Sequence, residues 1–164
     1  METKKAQLKG FHHVAVICSD YAKSKAFYTE ILGFAVIDEN YREERDSYKC
    51  DIALADGSQL ELFSFPGAPA RPSRPEAQGL RHLAFKVDHI EQVISHLAHH
   101  GVACEPIRID PYTHRRFTFF QDPDGLPPEA LLLSGSPCSS EVRIIRWKFL
   151  LSTLFENLFS EAFL

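Results

Sequence analysis

Two stretches of the chain share one hydrophobic pattern. The first, HHVAVICSDYAKSKAFYTEILGF, opens on alternating apolar residues led by a histidine, crosses Ser19 and Asp20, and continues with apolar positions at helical spacing. The second, RHLAFKVDHIEQVISHLAHHGV, repeats that order. A period of two followed by a period near 3.6 predicts a strand and then an amphipathic helix. Ser19 or Asp20 is placed to cap the first helix, with Ala26, Phe27 and Ile31 facing inward and Gly33 ending it. Asp88, the inward set Val93, Ile94 and Leu97, and Gly101 take the same parts in the second.

Three apolar runs follow each helix. They are FAVIDENY, SYKCDIALA and SQLELFSF in the first half, and VACEPIRI, RRFTFFQD and LPPEALLL in the second. Asp56-Gly57 and Asp124-Gly125 are hairpin-type turn signals at matching places, since glycine accepts the positive φ that such turns need. Each half therefore reads β-α-β-β-β, and the fold class is α+β with two tandem βαβββ modules at about 10–66 and 79–133. The Pro-rich stretch from Pro66 to Gln78 is the seam between them. A half-domain of this kind cannot close a core alone, so the modules are expected to pair within the chain or between two chains. Residues 1–133 are read as one domain and 134–164 as an atypical tail.

Composition narrows the function classes. A chain of 164 residues with 45% hydrophobic residues suits a single soluble domain. A formal charge of −4 argues against nucleic acid, which requires a basic face. No uncharged run is long enough to span a bilayer, and the N-terminus METKKAQLKG has no signal-peptide core. Cys18, Cys50, Cys104 and Cys138 form no Cys-x-x-Cys pair and read as ordinary thiols of a cytoplasmic protein.

The repeat also carries chemistry. His13 leads the first strand and Glu61 lies in the last strand of its module; His82 and Glu129 hold the same places in the second, at an interval differing by one residue. Alternation puts Glu61 beside Phe63 on one face, with Leu60 and Leu62 on the other. A carboxylate on an apolar face is costly unless it is paired or bound to a metal. Two imidazoles and two carboxylates converging on a pseudo-two-fold axis suit a divalent transition ion. His12 is expected on the opposite face. His96 and His100, with His89 and His99, read as a solvated helix face. Arg71, Arg74, Arg115, Arg116 and Tyr112 are candidates for gripping an anionic substrate.

With these residues in view the chain resembles the vicinal oxygen chelate superfamily, and within it glyoxalase I, over about Gly10 to Glu129. It is most similar to short bacterial glyoxalase-like proteins of the YaeR type, through YREERDSYK, ELFSFP, RPSRPEA, GLRHLAFKVD, DPYTHRRFTFF and DPDGLP. The resemblance implies a half-open β-barrel site; the half-domains themselves lead us to expect a homodimer in which each site draws on both modules. It implies one divalent ion per site, nickel, cobalt or zinc, on His13, Glu61, His82 and Glu129. It further implies a lactoylglutathione lyase-like activity, isomerising a hemithioacetal through a metal-stabilised enediolate. In that scheme Glu129 shuttles the proton and Glu61 is its symmetric counterpart. Many glyoxalase I enzymes bind glutathione with an Arg and an Asn at the positions held here by Ile17 and Phe65, so weak turnover of the glutathione adduct is expected.

Two alternatives stay open. One is another metalloenzyme on this scaffold, an acyl-thioester epimerase or a dioxygenase-like protein, although dioxygenases use two histidines and one carboxylate. The other is a non-enzymatic binding or resistance protein, although such proteins usually lack the ligands. Beyond Glu129 the chain departs from the short relatives. Its apolar stretch from Val142 to Phe159 reads either as a docked helix or as the product of a shifted reading frame near codon 128.

Overall fold

The computed structural model describes residues 8–133; the expectations for the tail lie outside them. In the first module β1 (His13–Cys18) leads into α1 (Tyr21–Ala26), which relaxes into a π-helical turn at Phe27–Ile31. β2 (Ala35–Arg42), β3 (Ser47–Ala53) and β4 (Gln59–Ser64) follow. The second module comprises β5 (Leu83–Val87), α2 (Ile90–His99), β6 (Arg108–Ile109), β7 (Arg116–Phe119) and β8 (Pro128–Leu132). The sheet orders are β1-β4-β3-β2 and β5-β8-β7-β6. In each the first and last strands run parallel and the rest antiparallel. The two tandem βαβββ modules are thus the architecture expected.

Local chemistry explains most boundaries. Asp20 caps α1, its Oδ1 accepting from the Lys23 N–H at 3.0 Å, and Gly33 (φ +74°) ends the helical stretch. In α2 the N-cap falls on His89, with no side-chain hydrogen bond, so Asp88 stands one residue too early to cap. The run VACEPIRI yields only a two-residue strand, because Pro106 within it has no N–H for a ladder. Pro128 lies in an interior strand, between β5 and β7. It is tolerated at the first position of β8, where the missing N–H costs no ladder bond and its carbonyl accepts from the Phe120 N–H at 3.1 Å.

Both modules feed one core. Val16, Cys50, Ile52, Leu60 and Leu62 pack under Phe27 and Tyr28, continuous with Leu97, Phe120, Leu126 and Ala130 of the second module. The join is polar at its centre. Tyr28, fully buried, donates from its hydroxyl to Asp122 Oδ2 at 2.8 Å. The other Asp122 oxygen accepts from the N–H groups of Leu126 and Asp124 at 2.8 and 2.9 Å. Burial pushes the Asp122 carboxyl above its ordinary value. Asp124 ties back through Ser24 Oγ at 3.2 Å and the Ser19 N–H at 3.1 Å. His96 Nε2 lies 2.7 Å from the Ile31 carbonyl, a further bond between modules. No helix among the described residues is long and apolar enough to cross a membrane.

Removing the donor to a buried carboxylate leaves that charge under-solvated. Tyr28→Phe should therefore lower unfolding free energy by about 1–3 kcal/mol, read as a lower urea midpoint. A carboxyl whose folded pKa is raised contributes stability below its unfolded value, and that contribution is lost as pH rises through the folded one. In Asp122→Asn the fall of stability above pH 3.8 should be shallower than in the parent, as measured by melting midpoints across a pH series.

Candidate metal centre

The helix-facing residues of each sheet are consumed by the core, and alternate residues form the other face. In the first sheet parallel pairing sets Ala15 beside Glu61, and antiparallel pairing sets Asp51 on its other side. His13 Nε2 comes within 3.4 Å of Glu61 Oε2. Lys49 Nζ lies 3.1 Å from Glu61 Oε1 and 2.5 Å from Asp51 Oδ1. The two carboxylates, Asp51 foremost, hold the Lys49 ammonium above its ordinary value. A carboxylate only 16% exposed is thus matched on one oxygen by an imidazole and on the other by an ammonium. Lys49 and Asp51 were legible only by aligning alternate residues of β3 against Glu61.

The second sheet repeats the pair in a different setting. His82, immediately before β5, places Nε2 at 3.0 Å from Glu129 Oε2. The positions that Asp51 and Lys49 fill in the first sheet belong to Phe119 and Phe117, paired with Glu129 and Leu131. The His82 ring meets Phe119 edge-on at 5.3 Å, and Arg108 lies over Phe117 and Phe119 at 5.1 and 5.2 Å. His82 Nδ1 is buried without a hydrogen-bond partner among the described residues.

His13 with Glu61, and His82 with Glu129, are therefore brought together as two pairs. No group of three or more His, Cys, Asp or Glu placed to hold a metal occurs among the described residues. The donors of each pair do suit an ion. Two ligands about 2.1 Å from a divalent ion stand about 3.0 Å apart at the right angle of an octahedral site and about 3.4 Å apart at the tetrahedral angle, close to the separations found. His12, expected on the far face, instead stacks edge-on against His13, the two Nδ1 atoms 3.0 Å apart. Alternation does not extend to it because β1 begins at His13. A ring holding Nδ1 while Nε2 faces Glu61 is how ligand histidines are commonly oriented.

The candidate substrate contacts are scattered. Arg71 is tied within the seam, donating from Nε to Ser73 Oγ and from Nη2 to the Leu80 carbonyl, both at 2.9 Å. Arg71 and Arg74 line a groove that also reaches His82, Arg108 and Phe119. Arg116 ion-pairs with Glu91 of α2, on the helix side of β7, opposite the face of Phe117 and Phe119. Arg115 is exposed, and Tyr112 is 91% exposed. Burial pushes the Cys18 thiol up to about 11 and raises Cys50 and Cys104, so none of these is poised as a thiolate. At the thiol end expected for glutathione, Ile17 pairs with Phe63, and Phe63 stacks on Phe65 at 5.7 Å; these three side chains are apolar, with the Arg42 guanidinium over the two rings.

Paired βαβββ modules, each with a His at the start of its first strand and a Glu on its last, are the architecture of the glyoxalase class. The chain belongs to the Glyoxalase/Bleomycin resistance protein/Dioxygenase superfamily, whose family model matches residues 10–129. It is similar to YaeR of Escherichia coli, 63% identical over 122 residues, 74% of this chain and 95% of that protein. To YwkD of Bacillus subtilis it is 59% identical with the same coverage. A glyoxalase family protein from Enterococcus faecalis of solved structure superposes with a TM-score of 0.71 at 52% identity, covering 75% of this chain and 97% of that one.

The ammonium at Glu61 competes with any cation for that carboxylate. Lys49→Met should lower the melting temperature, since Asp51 and Glu61 then face each other unneutralised. It should also tighten nickel binding by calorimetry. Unchanged or weaker nickel affinity would show that Lys49 does not oppose the ion.

Proposed function

We propose that this chain is a metal-dependent lyase or isomerase of the glyoxalase I kind, acting on a hemithioacetal or a related vicinal-oxygen compound. The observation that carries this is the mirrored pair of contacts, His13 to Glu61 and His82 to Glu129, each on the sheet face turned away from the helices. Each pair is half of a ligand set. A homodimer in which the first-module face of one copy meets the second-module face of the other would complete the set and cover both surfaces.

In such a site His13, Glu61, His82 and Glu129 would hold one divalent ion of nickel, cobalt or zinc. When bound, the ion supplies Lewis-acid stabilisation of negative charge on two neighbouring substrate oxygens. The chain's own contribution is the proton. Glu61 has both oxygens engaged, by His13 and Lys49, whereas Glu129 has a single ion-pair contact among the described residues. Glu129 is therefore the carboxylate that takes the proton from one substrate carbon and returns it to the next, in the manner of a general base and then acid. Its aromatic neighbours Phe117 and Phe119 exclude water from that transfer. Ile17 and Phe65 stand where glutathione-using enzymes of the resembled kind place an arginine and an asparagine, so the tripeptide loses two polar contacts and glutathione is not the preferred thiol.

Protein reconstituted with nickel, cobalt or zinc should bind about one ion per chain. Glu61→Gln and His82→Ala should lose most of it, while His96→Ala keeps it. No metal above background with any of the three ions would overturn the assignment. Sedimentation should show a dimer at micromolar concentration, and a monomer that still binds the ion fully would refute the shared site. Glu129→Gln should depress kcat far more than it depresses metal content. The glutathione hemithioacetal of methylglyoxal should turn over slowly beside adducts of smaller thiols; rapid lactoylglutathione formation would make glutathione the substrate thiol.

A further inference from the structure

We infer that Arg42 is the anchor for an anionic group on the substrate, so that this site selects vicinal-oxygen compounds carrying a carboxylate some distance from the reacting carbons. The inference rests on the function proposed above and adds a substrate class to it.

Arg42 is the last residue of β2 and half-buried. Its guanidinium carbon lies 4.8 Å from the centre of the Phe63 ring and 5.3 Å from that of Phe65. Those rings stack nearly parallel, 13° apart, and form a continuous aromatic floor. Nε and Nη2 donate to Ser47 Oγ at 3.2 and 2.8 Å. The group is fixed in position by these contacts, yet Nη1 has no acceptor among the described residues.

A cation on each of the two open faces is neutralised. Lys49 is held by Asp51 and Glu61, and Arg108 by Glu105. Arg42 has no carboxylate partner among the described residues. A planar guanidinium braced on aromatic rings, its Nε edge held by Ser47 and its Nη1 end free, is arranged to bind an oxyanion end-on. A lysine there would be mobile and strongly hydrated.

The strands set its distance from the chemistry. Ser47, Lys49 and Asp51 alternate along β3 on the face that carries Glu61 and Phe63, because Asp51 pairs with Glu61 and Lys49 with Phe63. Ser47 in turn pairs with Arg42. Phe63 and Phe65 are two and four residues beyond Glu61. At about 3.3 Å per residue the guanidinium stands roughly 7–13 Å along the strand from the Glu61 row. A molecule with two vicinal oxygens at the His–Glu pairs would lay a short apolar tether on Phe63 and present its anion to Arg42. Position 17 is isoleucine beside Phe63; the cation on this surface comes from β2.

Hydroxamates chelate through two vicinal oxygens and need no turnover. Calorimetry with the nickel-loaded full chain would compare ω-carboxy hydroxamates, their methylene tether lengthened stepwise, with the ω-amides of equal length. In the parent at least one carboxylate should bind about tenfold tighter than its amide, the scale of one charge-assisted contact. Arg42→Met keeps a stem over the rings and Arg42→Gln keeps a donor to Ser47. Both should erase that advantage while leaving amide affinity and metal content unchanged. No carboxylate advantage at any tether length, or one that survives in either variant, overturns the inference alone. Failure of every hydroxamate to bind a metal-loaded protein overturns the vicinal-oxygen reading, and this inference with it.

Discussion

In both sheets the helix-facing side is used up inside the chain. Val16, Ile52, Leu60 and Leu62 of one, with Ala130 of the other, meet across the helices in a single core, and the Tyr28–Asp122 hydrogen bond sits at the join. Because successive side chains on a strand must point to opposite faces, the residues between those core positions have one direction left. His13, Ala15 and Ile17 take it on β1, Glu61 and Phe63 on β4, and Glu129 on β8. A one-residue slip in any of these strands would send the carboxylates into the core and the leucines out. The register that builds the core therefore also builds the site.

Much of this was legible from the amino-acid pattern, because it depends on periods of two and 3.6. The module order and the faces of Leu60 and Glu61 follow from alternation, whereas the approach of each His to its own Glu depends on parallel pairing of first and last strands, and the four groups expected to converge stand as two pairs among the described residues. What was not legible depends on where regular structure stops. His12 sits against His13 because β1 begins one residue after it, so alternation gives no information about its direction. Pro128 suggests an edge, yet it occupies the start of an interior strand whose first N–H is dispensable. Lys49 and Arg42 act through cross-strand pairing, which needs the register of β3 on its neighbours and cannot be seen in either strand alone. The arginines of THRRF looked equivalent as a cluster; β7 turns Arg116 toward α2 and Glu91, away from the face of His82.

The internal duplication is exact in ligand type and loose in surroundings. Opposite Glu61 stand Asp51 and, one pair further, Lys49; opposite Glu129 and its neighbour stand Phe119 and Phe117. The same His–Glu unit is thus set in a charged environment once and in an aromatic one once. Two carboxylates in equivalent positions with unlike neighbours can divide holding an ion from moving a proton, a division that environment commonly imposes on paired acids.

Such a division leaves the rest of the open face free to vary without disturbing the His–Glu units. The alternate positions after Glu61 are Phe63 on β4 and Phe65 just past its end, and the facing position of β1 is Ile17, so these side chains offer no hydrogen bonds of their own. An apolar surface discriminates weakly between similar ligands, and a site built from it alone would accept many small thioesters or aldehydes. A guanidinium fixed above that surface changes the outcome, because a charge held at one place admits only molecules that bring the opposite charge to it. Substitution at three or four side chains on β1, β2 and β4 can therefore redirect specificity while the fold and the His–Glu units persist, which is how one scaffold comes to serve unlike substrates.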